Sequence, residues 1–443
     1  MYSVTKQQMS FRSSGPLSGE TVVPGDKSIS HRALMLAAMA DGQSRIQGLS
    51  PGGDVRSTAC ALRAMGARIE AEGPDTWHVD GVGTGGLNTP HAPLDMGNSG
   101  TSARLLMGLI ASHPVTATLT GDSSLSRRPM ERVAGPLRTI GATIAASPQG
   151  TLPLTIEGAA AAVPRHHRLT VASAQVKSAL LLAALNTPGV TRITEPVATR
   201  DHSERMLRHF GARIEVAEEP GGGRTIALAG KAALTPQDIA IPGDPSSAAF
   251  LAVAALVVPG SSIVIRNVGT NPLRMGLFDA LRAMGGDIVF DNERMVDGEP
   301  VADMRVRHSA LRATDIAPQA VPSMIDEFPI FFIAAAFADG TSRTSGLREL
   351  RVKESDRIAA MAEGLRAIGA RVEENQDGLA IMGSGGAPLP GGATIASCMD
   401  HRIAMSFAIA GLHCSQAVTI DSMAPVDTSF PGFVTTLQEL HSA

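Results

Sequence analysis

The segment Leu350-Arg-Val-Lys-Glu-Ser-Asp-Arg357 places Lys353, Glu354 and Arg357 at i, i+1 and i+4. That spacing predicts one helical turn, which would bring an acid and two cations to one site. Asp326 and Glu327 stand just before the apolar run Ile330 to Ala336. A carboxylate at the edge of a buried helix is pushed toward its protonated form by desolvation, which suits a general base or acid near neutral pH. Fixed cations recur at Lys27 and Arg32, at Arg104, at Arg127 with Arg128, and at His401 with Arg402. A solvated surface explains any one charged residue in the 350–357 segment, whereas the whole set suggests anion binding joined to proton transfer.

The elements that position these residues are legible as repeats. Leu62-Arg-Ala-Met-Gly-Ala-Arg-Ile recurs in related form from Leu137, Leu207, Leu281 and Leu365, five copies 70 to 84 residues apart. Each copy reads as a helix end with glycine in the left-handed cap position, followed by a strand. Leu437-Gln-Glu-Leu440 begins a sixth copy, without the strand that closes the others. At a similar period, polar clusters near Asp26, Asn98, Ser173, Asp244, Ser323 and Met399 precede apolar, Ala-rich helices. Pro24-Gly25-Asp26 and Pro242-Gly243-Asp244 stand three units apart, so two domains of three units are expected, with the boundary near Ile241.

A helix N-terminus offers unpaired N–H groups and a partial positive charge. Its contribution is only ~0.3–2 kcal/mol, whereas micromolar binding needs about 8 kcal/mol. Side-chain cations must supply much of the rest, and helix capping alone calls for no Lys, Gln or Arg. A structural toroid whose polar helix starts are only caps remains the alternative to a toroid that binds anions.

Composition narrows the class. An apolar fraction of 44% with only 3% aromatics leaves the packing to Ala, Leu, Ile, Val and Met, in a chain of 443 residues that suits two domains. The apolar stretches from Phe250 and Ile330 fall short of the ~18 residues a membrane span needs, and residues 1–15 lack the apolar core of a secretory signal. A net charge of -4 argues against nucleic-acid binding. Cys60, Cys398 and Cys414 have neither metal-type nor disulfide spacing and read as packing residues. His166 and His167 read as a loop pair. A monomeric cytoplasmic protein with no membrane partner is expected.

The motifs resemble those of the 5-enolpyruvylshikimate-3-phosphate synthase family, the 3-phosphoshikimate 1-carboxyvinyltransferases. The resemblance covers essentially the whole chain. It is carried by Pro24-Gly-Asp-Lys-Ser-Ile-Ser-His-Arg32, Gly97-Asn-Ser-Gly-Thr-Ser-Ala-Arg104, Gly121-Asp-Ser-Ser-Leu-Ser-Arg-Arg-Pro-Met130, Ala172-Ser-Ala-Gln-Val-Lys-Ser178, Arg351-Val-Lys-Glu-Ser-Asp-Arg357 and Asp400-His-Arg-Ile-Ala-Met-Ser406. It implies an α/β fold of two similar domains, residues 24–241 and 1–23 plus 242–443, each of three βαβαββ-like units with helices inside sheets. Ligands would bind in a cleft between the domains that then closes. The implied reaction joins phosphoenolpyruvate to shikimate 3-phosphate with release of phosphate, without metal or organic cofactor.

By that resemblance Lys27, Ser28, Arg32, Ser173, Ala174, Gln175, Arg200, Asp326 and Lys353 hold shikimate 3-phosphate. Lys27, Gly100, Thr101, Arg128, Gln175, Lys353, Arg357 and Arg402 hold phosphoenolpyruvate, where guanidinium forks match carboxylate and phosphate. Asp326 is the candidate base and Glu354 the candidate acid at the methylene carbon, while Lys27 and His401 compete as proton donors. Two departures accompany the match: Arg200 stands where some members have a shikimate-covering Tyr, and Thr428-Ser429 precede Phe430-Pro431 where some have a Lys. Gly100, where tolerant members have Ala, implies sensitivity to the inhibitor glyphosate. The sister reaction on UDP-N-acetylglucosamine usually needs a reactive Cys in a first-domain loop, and residues 110–130 contain none. A non-catalytic phosphate-binding toroid is the alternative from another class.

Overall fold

The computed structural model describes residues 8–73 and 75–442. Two compact units form. A middle unit comprises Gly25–Ile241 with Val296–Glu299, and a flanking unit comprises the chain up to Pro24, Pro242–Met295 and the chain from Pro300.

In the middle unit three four-stranded sheets share one plan. Leu94–Asp95 pairs in parallel with Thr116–Thr120 across the helix Gly100–Ala111, and the chain then passes through the helix Glu131–Arg138 into the antiparallel strands Thr143–Ala145 and Leu154–Glu157. This is the βαβαββ unit. His166–Arg168 and Val190–Glu195 repeat it around the helix Ala174–Leu185. In the remaining sheet the parallel partner of Gln43–Gln47 is Asp238–Ala240, so the end of the unit closes its beginning. His166 and His167 therefore lie in a strand, not a loop, and burial lowers the pKa of His167.

The helices Lys27–Met39, Gly100–Ala111 and Ala174–Leu185 are buried along nearly their whole length, apart from Lys27 and Ser28, Thr101 and Arg104, and Ala174 and Gln175 near their starts. Ala-rich sequence allows this, because alanine combines high helix propensity with little bulk. Asp26, Ser99 and Ser173 cap them by accepting from the backbone N–H groups of Ile29, Ser102 and Val176.

The flanking unit follows the same plan around the helices Pro245–Val257, Phe328–Phe337 and His401–Gly411, which are buried throughout. Asp244 and Asp400 cap the first and third. The middle helix starts later than the polar cluster at Ser323 suggests: a short helix, Val321–Met324, comes first, and Glu327 is the residue before Phe328. Phe328, Phe331 and Phe332 pack with ring centroids 5.8–6.1 Å apart, a specific aromatic contact beyond area burial.

In the sixth unit the place of the last antiparallel strand is taken from the other end of the chain, while the strand that directly follows the repeat phrase elsewhere has no counterpart among the described residues. Met9–Phe11 pairs antiparallel with Val418–Ile420, which pairs in parallel with Thr394–Ile395. Ser18–Val22 likewise pairs in parallel with Ser262–Gly269. The repeat phrase ends helices as expected: Gly66, Gly141, Gly211, Gly285 and Gly369 all have φ between 86° and 112°, which glycine adopts without steric cost. Among the described residues no single helix is long and apolar enough to cross a membrane.

Candidate active site

In the middle unit the site residues gather at the half-buried helix starts. Lys27 Nζ donates to Asp54 Oδ2 at 3.0 Å. Ser28 follows on the same turn, its carbonyl accepting from Arg32 Nη1 at 2.7 Å. Arg104 Nη1 donates to Gln175 Oε1 (3.0 Å), whose Nε2 donates to Thr101 Oγ1 (3.1 Å). One amide thus ties the Gly100 and Ala174 helix starts together. Arg128 Nη2 donates to Asn98 Oδ1 (2.6 Å) and Ser124 Oγ (3.1 Å), which fixes its guanidinium beside Gly100. A Cβ at Gly100 would stand 2.8 Å from Arg104 Nη1 and 3.2 Å from Arg128 Nη1. Glycine is what lets two guanidinium groups approach the backbone here.

Arg32 is deeper than its neighbours. Its Nε donates to Ser203 Oγ (2.7 Å) and its Nη2 to Ser178 Oγ (2.6 Å). Burial pulls its pKa down to about 10, Glu204 and Asp26 oppose that, and Arg200 adds to the lowering. Arg200 is half-buried, between Thr199 and the helix His202–His209.

In the flanking unit the cations are wrapped in carboxylates. Arg357 is 1% exposed. Its Nε donates to Asp400 Oδ2 (2.8 Å) and its Nη2 to Glu354 Oε2 (2.6 Å), and its Nη1 lies 3.6 Å from Asp326 Oδ1. Burial alone would lower the proton affinity of this guanidinium, but Asp400 and Glu354 reverse the effect and raise it. Lys353 Nζ donates to Asp326 Oδ1 at 3.2 Å. Arg402 Nη1 donates to the Asp326 carbonyl (2.6 Å) and lies 3.4 Å from Glu327 Oε1. Glu327 also accepts from Ser246 Oγ, which accepts from Arg274 Nη2 at 2.7 Å. His401 is buried as the first residue of its helix.

Lys353, Glu354 and Arg357 do not share a helical turn, contrary to their spacing. Asp356 accepts from the Ala359 N–H (3.0 Å) and caps a helix that begins only at Arg357, while Arg348–Val352 forms a 3-10 turn. Arg351 Nη1 grips Asp356 Oδ2 at 2.8 Å and stabilises that break. The three residues still converge, through a bend rather than along a helix face.

These arrangements can hold anions and exchange protons, and the comparisons with known proteins agree on the family. The sequence model of the EPSP synthase (3-phosphoshikimate 1-carboxyvinyltransferase) family matches residues 11–437. The chain belongs to the EPSP synthase family.

The chain is 61% identical to the 3-phosphoshikimate 1-carboxyvinyltransferase of Sphingopyxis alaskensis, over 97% of each chain. It is 60% identical to that of Novosphingobium aromaticivorans, over 97% of this chain and 98% of the relative. EPSP synthase from Acinetobacter baumannii superposes with a TM-score of 0.85 at 44% identity, over 98% of both chains. The enolpyruvyl transferase NikO from Streptomyces tendae, at 20% identity and a TM-score of 0.78, shares the fold.

Several residues of this EPSP synthase family site escaped the residue-by-residue reading of the sequence. Asp54 lies in the first turn of the helix Gly53–Ala64, with nothing in its sequence neighbourhood to link it to Lys27. Asp400 looks like an ordinary cap, yet it also holds Arg357 and accepts from Ser355 Oγ at 3.1 Å. Of the adjacent pair Asp326 and Glu327, the second is the more buried, at 2% exposure, and it faces Ser246 and Arg402. The Thr428 hydroxyl donates to the Pro425 carbonyl at 2.7 Å. The packing role fits only Cys414, whose burial pushes its thiol up to about 12, because Cys60 and Cys398 are exposed.

Proposed function

We propose that the two groups of residues divide between them the 3-phosphoshikimate 1-carboxyvinyltransferase reaction of this chain. The enzyme transfers the enolpyruvyl group of phosphoenolpyruvate to the 5-hydroxyl of shikimate 3-phosphate and releases phosphate, a step of the shikimate pathway to aromatic amino acids. Lys27, Ser28, Arg32, Ser173, Ala174, Gln175 and Arg200 hold shikimate 3-phosphate, with Asp326 and Lys353 at its reacting side. Gly100, Thr101, Arg128, Lys353, Arg357 and Arg402, helped by Lys27 and Gln175, hold phosphoenolpyruvate. Neither substrate requires a metal or organic cofactor in this reading, and the enzyme works as a cytoplasmic monomer.

The observation that carries the assignment is the Arg357 guanidinium facing both Asp326 (3.6 Å) and Glu354 (2.6 Å). An anionic substrate arriving at Arg357 and Lys353 competes for the cations that stabilise these carboxylates. Losing that stabilisation raises their proton affinity toward neutrality. Asp326 then takes the proton of the 5-hydroxyl as its oxygen bonds to the enol carbon, and Glu354 gives a proton to the methylene carbon. In the second half the carbon–phosphate oxygen bond breaks and Glu354 recovers a proton from the new methyl group. The phosphate leaves with the proton that the hydroxyl gave up to Asp326.

Phosphate release from phosphoenolpyruvate should require shikimate 3-phosphate and be absent with UDP-N-acetylglucosamine. Release with neither acceptor would overturn the reading in favour of a binding module.

A further inference from the structure

The helix Ala174–Leu185 is apolar except at its start and at Lys177 and Ser178, both wholly buried. An ammonium group has three donors, and all three are used. Lys177 Nζ lies 3.0 Å from Glu195 Oε1, 2.7 Å from Glu204 Oε1 and 3.0 Å from the Thr199 carbonyl. Glu195 in turn accepts from the Thr199 N–H (3.2 Å) and, through Oε2, from the Thr199 hydroxyl (2.6 Å). Every polar group of Thr199 is thus committed to this buried network. Beside this network the Ser203 hydroxyl donates to Ser178 Oγ at 2.7 Å, and Arg32 donates to both serines.

Arg200 follows Thr199 directly. The residue after it, Asp201, is held from the other side by Arg205 Nε at 2.9 Å. The main chain is tethered on both sides of Arg200, and the tether on one side runs to the helix whose first residues are Ala174 and Gln175.

We propose that Lys177, with Glu195, Glu204 and Thr199, is a positioning device. It locks the Arg200 turn to the helix start carrying Ser173, Ala174 and Gln175, and so sets affinity for the phosphorylated acceptor without touching it. The inference rests on the reading that Arg200 and that helix start hold shikimate 3-phosphate. Its physical basis is that a binding group is useful only when the groups that support it fix its place, and a small misplacement weakens the interaction steeply. Burying one lysine against two glutamates is costly unless the geometry is good, and the same site could be filled by apolar side chains if packing were its only task.

The test compares Lys177→Met, Thr199→Val and Arg200→Ala, and the double variant Lys177→Met/Arg200→Ala, in steady state against both substrates. Thr199→Val removes only the hydroxyl that binds Glu195, and it decides the matter alone should Lys177→Met not fold. Lys177→Met should raise KM for shikimate 3-phosphate about tenfold, and Thr199→Val about threefold, with kcat and KM for phosphoenolpyruvate within about twofold of the parent. Because the device acts through Arg200, the double variant should be no more than about twofold worse than Arg200→Ala. Equal changes in both KM values, or effects that simply multiply in the double variant, would show a general structural role and overturn the inference. An unchanged KM for shikimate 3-phosphate in Arg200→Ala would overturn the assignment of Arg200 itself, and the inference with it.

Discussion

The helix starts of the two units differ in chemistry on the same architecture, although Lys27 of the middle unit also pairs with a carboxylate, Asp54. In the middle unit they are half-exposed, and Arg32, Arg104 and Arg128 donate to serine hydroxyls, amide oxygens and carbonyls. In the flanking unit the inner helices are buried to their first residues, and Arg357 and Arg402 face Asp400, Glu354, Asp326 and Glu327. A cation surrounded by acids tunes those acids, whereas donation to hydroxyls, amides and carbonyls fixes where a guanidinium stands. In the proposed reaction both units hold anions, and the acids assigned to proton transfer, Asp326 and Glu354, lie in the flanking unit.

The strongest way to break this comparison is to remove the acids. Asp326→Ala and Glu354→Gln should each lower kcat by about 100- to 10,000-fold, while calorimetric binding of shikimate 3-phosphate changes far less. Near-normal phosphate release by either variant would remove that residue from the proton path.

In the middle unit the corresponding change is Gly100→Ala. The added methyl presses on the guanidinium ends of Arg104 and Arg128 and meets no backbone atom, so the pocket shrinks at those side chains. Glyphosate, longer than phosphoenolpyruvate, should lose affinity by about 5- to 150-fold, the cost of overpacking by one carbon, and phosphoenolpyruvate should lose less. Inhibition constants for parent and variant against phosphoenolpyruvate decide it: equal losses for both ligands, or a resistant parent, refute the pocket-size argument.

The smallest expected effect concerns acid stability. Burial, then Lys27 and Arg32, holds the pKa of His31 well below 6.5. The unfolded chain therefore binds a proton that the folded one refuses, and stability falls as pH drops below 6.5, by at most ~1.4 kcal/mol per pH unit from this group. Asp400 works at the other end of the scale. Burial pushes its pKa up, but Arg357 more than compensates and leaves it lowered. Its contribution is complete above the ordinary aspartate range and is lost only as pH falls through the depressed value. Urea midpoints at pH 7.5 and 5.5 should differ less in His31→Gln than in the parent, and an identical difference would clear His31.

What was legible in the sequence was what repeats. Gly66 and its four counterparts recur in one phrase, and the caps Asp26, Ser173 and Asp244 precede apolar runs, so a local pattern announced each element. The true geometry of Lys353, Glu354 and Arg357 was hidden because Asp356, a fourth charged residue inside the phrase, starts the helix late. Lys177 stands within a motif, yet its contacts with Glu195 and Glu204 are ones that only folding brings about. Pairing of Met9–Phe11 with Val418–Ile420 spans most of the chain and has no local signal at all.

That last pairing also sets an order of events during synthesis. Ser10 bonds Thr419 across a separation of 409 residues, so at ~5–20 residues per second the first strand waits about 20–80 seconds for its partner to leave the ribosome. The first three sheets need no residue beyond Ala240 and can form meanwhile. Met9–Phe11, made first, is the last strand to be paired, whereas Ser18–Val22 finds its partner once Ser262–Gly269 is made, and for the longer interval the edge of Met9–Phe11 stays open.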